Sequence, residues 1–408
     1  MQYKLLRGAV MRKIAIILPS NLPVPAVRGG AVELLIEKLV RQNEKTPKYE
    51  FTVFSAYNET AEKLTECFRY TKFIYVKVIP KIDDIHFLVY RVFKKIFNIA
   101  IPERISRNKM IKKIDHNDYD YILFQAGELY SLKVFNKYLP ANKVLVHAHG
   151  QITPIPAVDK YFSYYLPISD FVGNWWANKS NRPKDTYLTW KNCIDIEQFK
   201  QNVSETEKSN IRKKIGVNEN DFVVIFVGRL IPEKGVKELL NALEYVKSKN
   251  IKMLILGSSK FADKSMTVYE RTILKQTQKF ADKVVFTGYI PNEELYKYYS
   301  VANISCVPSI WNEPAGLVVL EAMAAGKPVI TTGTGGIKEY IDTETAIFVN
   351  IGEQLSQEIA YAIDDLNNDY KKRIKMSIKA KSMAESYSIE VYLTEFEKII
   401  KSISMNKQ

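Results

Sequence analysis

Cysteine is scarce in this sequence, and long apolar runs are absent from it. Three of the 408 residues are cysteines, Cys67, Cys193 and Cys306, and they lie far apart without a CxxC spacing. This argues against a disulfide framework or a zinc site and suits a reducing cytoplasm. No apolar run reaches the roughly 20 residues of a membrane span, and the first one, at 14–18, is too short for a signal peptide. We therefore expect a cytoplasmic protein that is soluble or peripheral.

The GxGxxG loop of dinucleotide-binding proteins is also missing, which weighs against a dehydrogenase. The first predicted strand is followed instead by the loop 25–30, which ends in Gly29 and Gly30. Two adjacent glycines let the backbone approach a ligand closely, and the helix that follows offers free N–H groups. A simple turn is the alternative interpretation of this pair.

Positive charge dominates, and it is unevenly distributed. The formal net charge is +14. Residues 1–200 carry 31 Lys and Arg against 19 Asp and Glu, whereas residues 201–408 carry 28 against 26. The first half is therefore expected to meet an anionic partner, for which nucleic acid and an anionic membrane are both candidates.

Short apolar runs alternate with helical patterns through both halves of the chain. Such alternation predicts parallel sheets covered on both faces, hence an α/β protein of two doubly wound domains facing across a cleft. We expect an N-terminal domain over 1–200, a second domain over 201–385 and a C-terminal helix over 386–408 that packs back on the first domain. The polar, lysine-rich stretch 203–220 is interpreted as a linker. Ligands of such sheets bind outside the carboxyl ends of the strands.

The segment 308–330 is the most informative stretch. A predicted strand ends near Val307, a loop carries Glu313, and Gly316 opens a helix that also contains Glu321. The free N–H groups and the positive dipole end of that helix suit a phosphate. The less specific alternative is an ordinary strand–helix unit with an acid near the helix start.

Two further strand ends carry polar residues. The buried strand ending near Val227 leads into a loop with Arg229 and Lys234, a pair suited to phosphate oxygens. Another buried strand ends at His147 and His149, two of only four histidines. We expect His147 to point to the other side of the strand from His149. Solvated loop cations and structural histidines are the respective alternatives.

Asp118 and Asp120 form an Asp-x-Asp pair, the pattern with which metal-dependent glycosyltransferases hold manganese. Here the pair precedes a predicted strand instead of ending one. We therefore interpret it as a solvated strand start and predict no metal site.

The segment 308–330 resembles the signature of family 4 retaining glycosyltransferases, in which two glutamates flank a Gly-Leu-Val turn. The resemblance extends over about 12–400 and implies the two-domain GT-B fold. It implies that Glu313 contacts hydroxyls of the donor sugar and that Glu321 holds the ribose. The backbone amides of the turn would reach the sugar and phosphates of the donor. The turn is Ala315, Gly316, Leu317 and Val318, with alanine where the family commonly has phenylalanine.

The other motifs match the same family. The resemblance makes Arg229 and Lys234, with Gly228 before them, the clamp of the donor diphosphate. His149 would face the donor sugar from the first domain, and the Gly29–Gly30 loop would close over the phosphates. The backbone at Tyr289 and Ile290 would read the nucleotide base.

The resemblance implies transfer of a sugar from a nucleotide donor, expected to be UDP-linked, with retention and without a metal or other cofactor. The growing charge of the leaving diphosphate would be met by cations and N–H donors of the protein. A sugar phosphorylase on the same fold, a basic nucleic-acid-binding protein and a catalytically inactive scaffold are the competing interpretations. We favour the transferase and expect no nucleic-acid partner.

Residues 86–113 carry eight of the basic residues and a single acid, Glu103. The cations are Arg91, Lys94, Lys95, Arg104, Arg107, Lys109, Lys112 and Lys113. Apolar residues recur at helical spacing from Val89 to Phe97, which suits an anionic membrane interface or, alternatively, a core-facing helix. Because many members of the family extend lipid-linked glycans at the cytoplasmic leaflet, we expect a peripheral enzyme of the inner membrane face. Its product would be a surface polysaccharide such as a capsule, or a glycolipid.

Overall fold

The structure, a computed structural model, describes residues 11–19, 21–125, 127–258 and 266–406. The first ten residues of the predicted N-terminal domain and the last two of the predicted C-terminal helix lie outside these ranges. The contacts divide the chain into two compact units. Unit 1 contains the residues up to Asn192 together with those from Ile389 onward, and unit 2 is Cys193–Ser388.

Unit 1 is built on a six-stranded parallel sheet. Its strands are β1 (Arg12–Ile17), β2 (Tyr49–Ala56), β3 (Thr71–Val76), β4 (Tyr121–Gln125), β5 (Val144–Ala148) and β6 (Tyr164–Pro167). They lie in the order β3-β2-β1-β4-β5-β6, so the direction of winding reverses between β1 and β4. Residues 14–17 of β1 are fully buried, because helices cover both faces of a sheet of this kind.

The helices of unit 1 alternate with these strands. They are α1 (Ala31–Lys45), α2 (Glu59–Lys63), α3 (Pro80–Val92), α4 (Ile105–Ile111), α5 (Leu132–Phe135) and α6 (Asp170–Ala177). A π-helical turn, Phe93–Phe97, continues α3 and ends at Asn98 with φ 53°.

Unit 2 repeats the architecture. Its strands are β7 (Phe222–Val227), β8 (Ile251–Leu256), β9 (Val284–Gly288), β10 (Ile304–Val307), β11 (Val329–Thr331) and β12 (Ala346–Phe348). The order is β12-β11-β10-β7-β8-β9, with the reversal between β10 and β7. The prediction of two doubly wound domains is therefore confirmed, and each predicted apolar run of this half forms a strand.

The helices of unit 2 include two long ones at its end. They are α7 (Ile196–Lys200), α8 (Glu205–Lys214), α9 (Val236–Asn241), α10 (Val268–Gln276), α11 (Leu295–Val301), α12 (Leu317–Ala324), α13 (Leu355–Asn368) and α14 (Tyr370–Ala384). The interpretation of 203–220 as a linker is wrong, because α8 lies within it. Ser204 caps this helix by accepting a hydrogen bond from the Glu207 amide at 3.2 Å, and α8 packs against α11.

The last helix, α15 (Ile389–Met405), belongs to unit 1. It packs on α1, and the Phe396 ring lies 5.5 Å from the ring of Tyr49. Trp190 stacks on Tyr392 at 4.2 Å and donates its indole N–H to the Tyr392 carbonyl oxygen. The first boundary lies at Asn192 instead of residue 200, because α7 packs against α12 within unit 2.

No helix within the described part of the chain is both long enough and apolar enough to cross a bilayer.

Candidate active site

The carboxyl ends of three neighbouring strands bring the predicted residues of unit 2 together. Arg229 and Lys234 follow β7, Glu313 follows β10, and the loop 332–337 follows β11. The winding reversal between β10 and β7 opens a crevice at this edge of the sheet, which is where doubly wound sheets bind ligands. Three loops that are far apart in sequence thus come from adjoining strand ends.

An ion pair joins the β7 loop to the β10 loop. The Lys234 Nζ atom lies 2.5 Å from Glu313 Oε1, and the Ser309 hydroxyl donates to the same oxygen at 2.7 Å. The Glu313 carboxylate is buried, and burial of an unpaired charge costs several kcal/mol. The lysine and the serine therefore compensate this carboxylate and hold it in a single orientation.

Ser309 was missed by sequence reasoning, although it lies within the informative segment. Threonines of the next strand end hold its loop: Thr332 donates to the Ser309 carbonyl oxygen and Thr334 to the Trp311 carbonyl oxygen, both at 2.6 Å. The Gly336 amide donates to the Glu313 carbonyl oxygen at 2.7 Å. The sequence did contain a signal for its role. Ser309 is a small hydroxyl residue four positions before an acid, in a loop that follows a buried strand.

The start of α12 has the geometry predicted for it. Gly316 is the N-cap residue, with φ 80°, and no side chain in the described part of the chain caps this helix. The first turn, at Leu317 and Val318, therefore directs backbone N–H groups and the positive dipole end toward the crevice. Ala315, just before the turn, is buried.

Glu321 lies one turn further along α12 and is almost fully buried. Its carboxylate lies beside the Tyr299 hydroxyl. Burial raises the pKa of Tyr299 well above its ordinary value, and the negative charge of Glu321 adds to this effect. The tyrosine consequently stays neutral and can donate a hydrogen bond to the carboxylate.

Arg229 differs from Lys234 in its surroundings. It is exposed, and it forms no ion pair with any of the residues that the structure describes. Its guanidinium group is therefore available to an anionic ligand, whereas the Lys234 ammonium group is engaged by Glu313. Gly228, which precedes Arg229, donates to the Leu256 carbonyl oxygen at 3.0 Å.

The loop after β9 contains Tyr289 and Ile290. The Tyr289 side chain is exposed, and that of Ile290 is half-buried. The Gly288 carbonyl oxygen accepts from the Gly257 amide at 2.8 Å, which ties the end of β9 to the end of β8. The loop therefore starts from a fixed position beside the crevice of unit 2.

In unit 1 the glycine loop follows β1 at the corresponding reversal point. Gly29 and Gly30 have φ values of 74° and 106°, and Gly30 is the N-cap residue of α1. A Cβ atom at Gly30 would meet the end of the Glu33 side chain, and residues with a side chain rarely adopt a φ of 106°, so a substitution there would be strained. The loop is anchored upstream, where the Tyr75 hydroxyl donates to the Val24 carbonyl oxygen at 2.9 Å.

The two histidines after β5 lie next to each other. Their ring centroids are 4.2 Å apart, so the expectation that His147 points away from His149 is wrong. Residues two apart in a strand point to the same side. Burial lowers the pKa of His149 to about 3, and burial together with the neighbouring ring lowers that of His147. Both rings are therefore neutral at physiological pH.

Gln125, the last residue of β4, contacts both histidines. Its Oε1 atom lies 2.6 Å from His149 Nε2 and 3.1 Å from His147 Nδ1. Sequence reasoning missed this residue. The signal for it was a polar residue ending an otherwise apolar strand whose carboxyl end lies at the edge of the sheet where ligands bind.

The Asp-x-Asp pair lies at the amino end of β4. Asp120 Oδ2 accepts a hydrogen bond from the Lys13 amide at 2.8 Å, and Asp118 ends a 3-10 turn. The described residues contain no group of three or more His, Cys, Asp or Glu side chains that could hold a metal ion.

The basic segment 86–113 consists of the end of α3, the π-helical turn and α4. Three of its eight cations are engaged by acids: Arg107 by Glu103 at 2.8 Å, Lys94 by Glu128 at 2.6 Å and Arg104 by Asp84 at 3.0 Å. The Arg107 side chain is buried. The expectation that all eight cations face a membrane is therefore wrong for Arg107, because a buried ion pair, and not the surface, holds it.

The apolar face of the same segment is open to solvent. Across α3 and the π-helical turn, seven large apolar side chains are between 41% and 68% exposed: Ile82, Ile85, Leu88, Val89, Val92, Ile96 and Phe97. Tyr90, which is buried, anchors the helix by donating its hydroxyl to Glu128 at 2.6 Å. A surface of this kind is unusual for a soluble monomer and marks an interaction site.

Comparison with known proteins gives concordant findings. Residues 207–383 match the family "Glycosyl transferases group 1". The chain is 24% identical over 381 residues to spore coat protein SA of Bacillus subtilis, covering 92% of this chain and 95% of that protein. It is 25% identical over 334 residues to the lipopolysaccharide 1,2-N-acetylglucosaminetransferase of Salmonella typhimurium, covering 78% and 84%.

Among solved structures, HepE of Anabaena in complex with UDP-glucose superposes with a TM-score of 0.72. The alignment covers 96% of this chain and 100% of that chain at 18% identity. A likeness at this identity establishes the fold, and both units have the doubly wound architecture of GT-B proteins.

Proposed function

From the match of residues 207–383 to the glycosyl transferases group 1 family, we propose that the chain is a retaining glycosyltransferase of cell-surface glycan assembly. Its donor would be a nucleotide sugar and its acceptor a saccharide. The observation that carries the proposal is a convergence at the strand ends of unit 2. An exposed arginine, a helix start that no described side chain caps, and a buried carboxylate lie there together.

The convergence suits departure of a nucleoside diphosphate. Sugar transfer passes through an oxocarbenium-like state while negative charge grows on the leaving group. Arg229, which is exposed and without an acidic partner among the described residues, and the amides at the start of α12 supply positive potential for that charge. In this proposal protein groups stabilise the diphosphate, and the reaction needs no metal.

Glu313 would bind hydroxyl groups of the donor sugar. Its Oε1 atom is taken by Lys234 and Ser309, so Oε2 remains for the sugar. Holding one oxygen from two sides orients the other, and such preorganisation reduces the cost of binding the reacting state. Lys234 would then bind the Glu313 carboxylate directly. Its positive charge would also stabilise the diphosphate from a distance.

A UDP-linked sugar is the donor we propose. HepE, which shares the fold, has been solved with UDP-glucose, and Tyr289 is exposed at the end of β9, where the backbone could face a base. A saccharide acceptor is proposed because the Salmonella relative is named for transfer to lipopolysaccharide. Glu321, beside Tyr299, would hold the ribose hydroxyls.

The exposed face of α3 supports a peripheral site of action. Side chains from Ile82 to Phe97 present apolar surface, and an open groove of about 820 Å³ runs beside Leu88, Val92 and Ile96. Arg91 and Lys95 line the same groove. We propose that the segment inserts into the headgroup region of an anionic bilayer, where apolar area and nearby cations both contribute. The acceptor would then be lipid-linked.

Transfer itself is tested with a panel of radiolabelled nucleotide sugars and an oligosaccharide acceptor mixture. We expect donor consumption with release of the nucleoside diphosphate, and an axial or equatorial anomeric proton in the product that matches the donor. Inversion at the anomeric carbon would refute retention. Consumption that requires inorganic phosphate would identify a phosphorylase instead.

Membrane binding is tested by co-sedimentation with vesicles of phosphatidylcholine alone or with phosphatidylglycerol. We expect the protein to pellet with the anionic vesicles, and Leu88→Glu together with Ile96→Glu to abolish pelleting. Ile378→Glu, an equally exposed isoleucine of unit 2, is the matched control. Equal pelleting of all three proteins would refute the role of α3.

A further inference from the structure

A single amide oxygen connects both histidines at the carboxyl end of the unit 1 sheet. Gln125 and His147 are paired across the neighbouring strands β4 and β5, and His149 follows two residues later. Gln125 Oε1 is 3.1 Å from His147 Nδ1 and 2.6 Å from His149 Nε2. The glutamine side chain is fully buried, so this contact is made without competition from water.

The chemistry of the three groups determines where the protons are. A neutral imidazole has one N–H donor and one acceptor nitrogen, and an amide oxygen only accepts. Both rings must therefore donate to Gln125, His147 from Nδ1 and His149 from Nε2. The Nδ1 atom of His149 is left as a hydrogen-bond acceptor on a ring that is half-buried and can reach a ligand.

We infer that Gln125 is a positioning residue that fixes the ring orientation and tautomer of His149, so that Nδ1 accepts a hydrogen bond from a hydroxyl of a saccharide bound at the carboxyl end of the unit 1 sheet. The inference rests on the proposed function for its ligand. The arrangement of Gln125 and the two rings does not depend on that function.

Surrounding contacts hold the backbone of Gln125 and the ring of His147. The Arg107 guanidinium group donates to the Gln125 carbonyl oxygen, is paired with Glu103 at 2.8 Å and lies over the Phe124 ring at 3.8 Å. On the other side, the ring of His147 stacks on Trp190 at 4.5 Å. Arg107 and Glu103 compensate each other, so this ion pair adds no net charge beside Gln125.

Replacement by leucine removes the acceptor while keeping the volume. Histidine labelled with ¹⁵N reports the tautomer directly. In the wild type we expect His147 as the Nδ1–H form and His149 as the Nε2–H form, both unchanged between pH 8 and pH 5. In Gln125→Leu we expect His147 to leave its Nδ1–H form and kcat to fall about tenfold or more, with the KM for donor changed less than about threefold.

Replacement by glutamate keeps the acceptor and adds a charge. A carboxylate beside the rings favours the imidazolium form, so we expect one histidine of Gln125→Glu to titrate between pH 5 and pH 8. The kcat of this variant should fall as the pH decreases, because a protonated His149 can no longer accept at Nδ1. Gln201→Glu, at an exposed position, is the control and should keep the wild-type spectrum and pH profile.

If Gln125→Glu does not fold, Gln125→Asn replaces it in the experiment. Asparagine keeps the amide group but is too short to reach both rings, so this variant should show the same changes as Gln125→Leu. Wild-type ¹⁵N shifts in both Gln125→Leu and Gln125→Asn, or a wild-type pH profile in Gln125→Glu, would overturn the inference. The role of Gln125 and the proposed function are tested separately, because the tautomers are observed without turnover. A protein with the expected tautomers but no sugar transfer would refute the proposed function and leave the orienting contact intact.

Discussion

Lys234 and Glu313, 79 residues apart in the chain, meet through a 2.5 Å contact between Nζ and Oε1. The pair connects the loop after β7 with the loop after β10. The residue expected to face the diphosphate and the residue expected to face the sugar are therefore one electrostatic unit, and a change in either alters the other.

The first prediction concerns the stability of this pair. Lys234→Met or Glu313→Gln should each lower the free energy of unfolding by about 1–3 kcal/mol, because the remaining partner is left without its counter-charge in a mostly buried site. The double variant should lose less than the sum of the two single losses. Urea unfolding of the four proteins measures the coupling, and strictly additive losses would contradict it.

The second prediction separates the two glutamates. Glu313→Gln removes negative charge near the leaving group and releases Lys234, so affinity for UDP should be retained or increased while kcat falls. Glu321→Gln should instead weaken UDP binding, because its contact would be to the nucleoside. Calorimetric titration with UDP distinguishes them, and equal losses of affinity would contradict the division of roles.

The third prediction concerns Arg229. Arg229→Ala should reduce turnover by two to three orders of magnitude, about 3–4 kcal/mol, as expected for loss of a group that stabilises developing charge. Arg271→Ala, which removes an exposed arginine elsewhere in unit 2, is the control and should be nearly normal. A rate for Arg229→Ala close to that control would refute the clamp.

The fourth prediction is that sugar transfer continues in a metal chelator. The described residues offer no cluster of metal-ligating side chains, and we propose protein cations for the leaving group. Initial rates with and without EDTA should agree. A loss of activity in EDTA that manganese restores would refute the metal-independent mechanism. Asp118 and Asp120 would then be the candidate metal ligands.

The fifth prediction concerns pH and stability. Burial lowers the pKa of His149 to about 3 in the folded protein, whereas an unfolded histidine has a pKa of about 6.5. Below pH 6.5 the unfolded chain therefore takes up a proton that the folded protein does not. The free energy of unfolding should fall by about 2 kcal/mol more between pH 7 and pH 5 in the wild type than in His149→Gln. Parallel pH dependences of the two proteins would contradict the buried neutral ring.

Continuous apolar runs such as Phe222–Val227 made the strands predictable. In a sheet that is covered on both faces, the residues on both sides of each strand are buried and therefore apolar. The uncapped start of α12 was predictable because Gly316 and the residues after it are adjacent in sequence. The Lys234–Glu313 pair was not, because it depends on how strands β7 and β10 neighbour each other.

The same limit explains what was misjudged or missed in unit 1. A count of charged residues treats Arg107 and Glu103 as surface charges. It cannot show that the two form a buried ion pair. Gln125 was missed because its role depends on a neighbouring strand. The error over His147 had another source, since the two-residue period of a strand already places it beside His149.

The affiliation of α15 with unit 1 has a consequence for synthesis of the chain on the ribosome. The first part of the chain to be translated includes Tyr49, Phe51 and Trp190. The rings that cover them, Phe396 and Tyr392, are translated only after all of unit 2. Unit 2 is continuous between Cys193 and Ser388 and can complete its core first. The earlier-made half of the molecule thus waits until α15 has been translated, with an aromatic surface that only this later helix can bury.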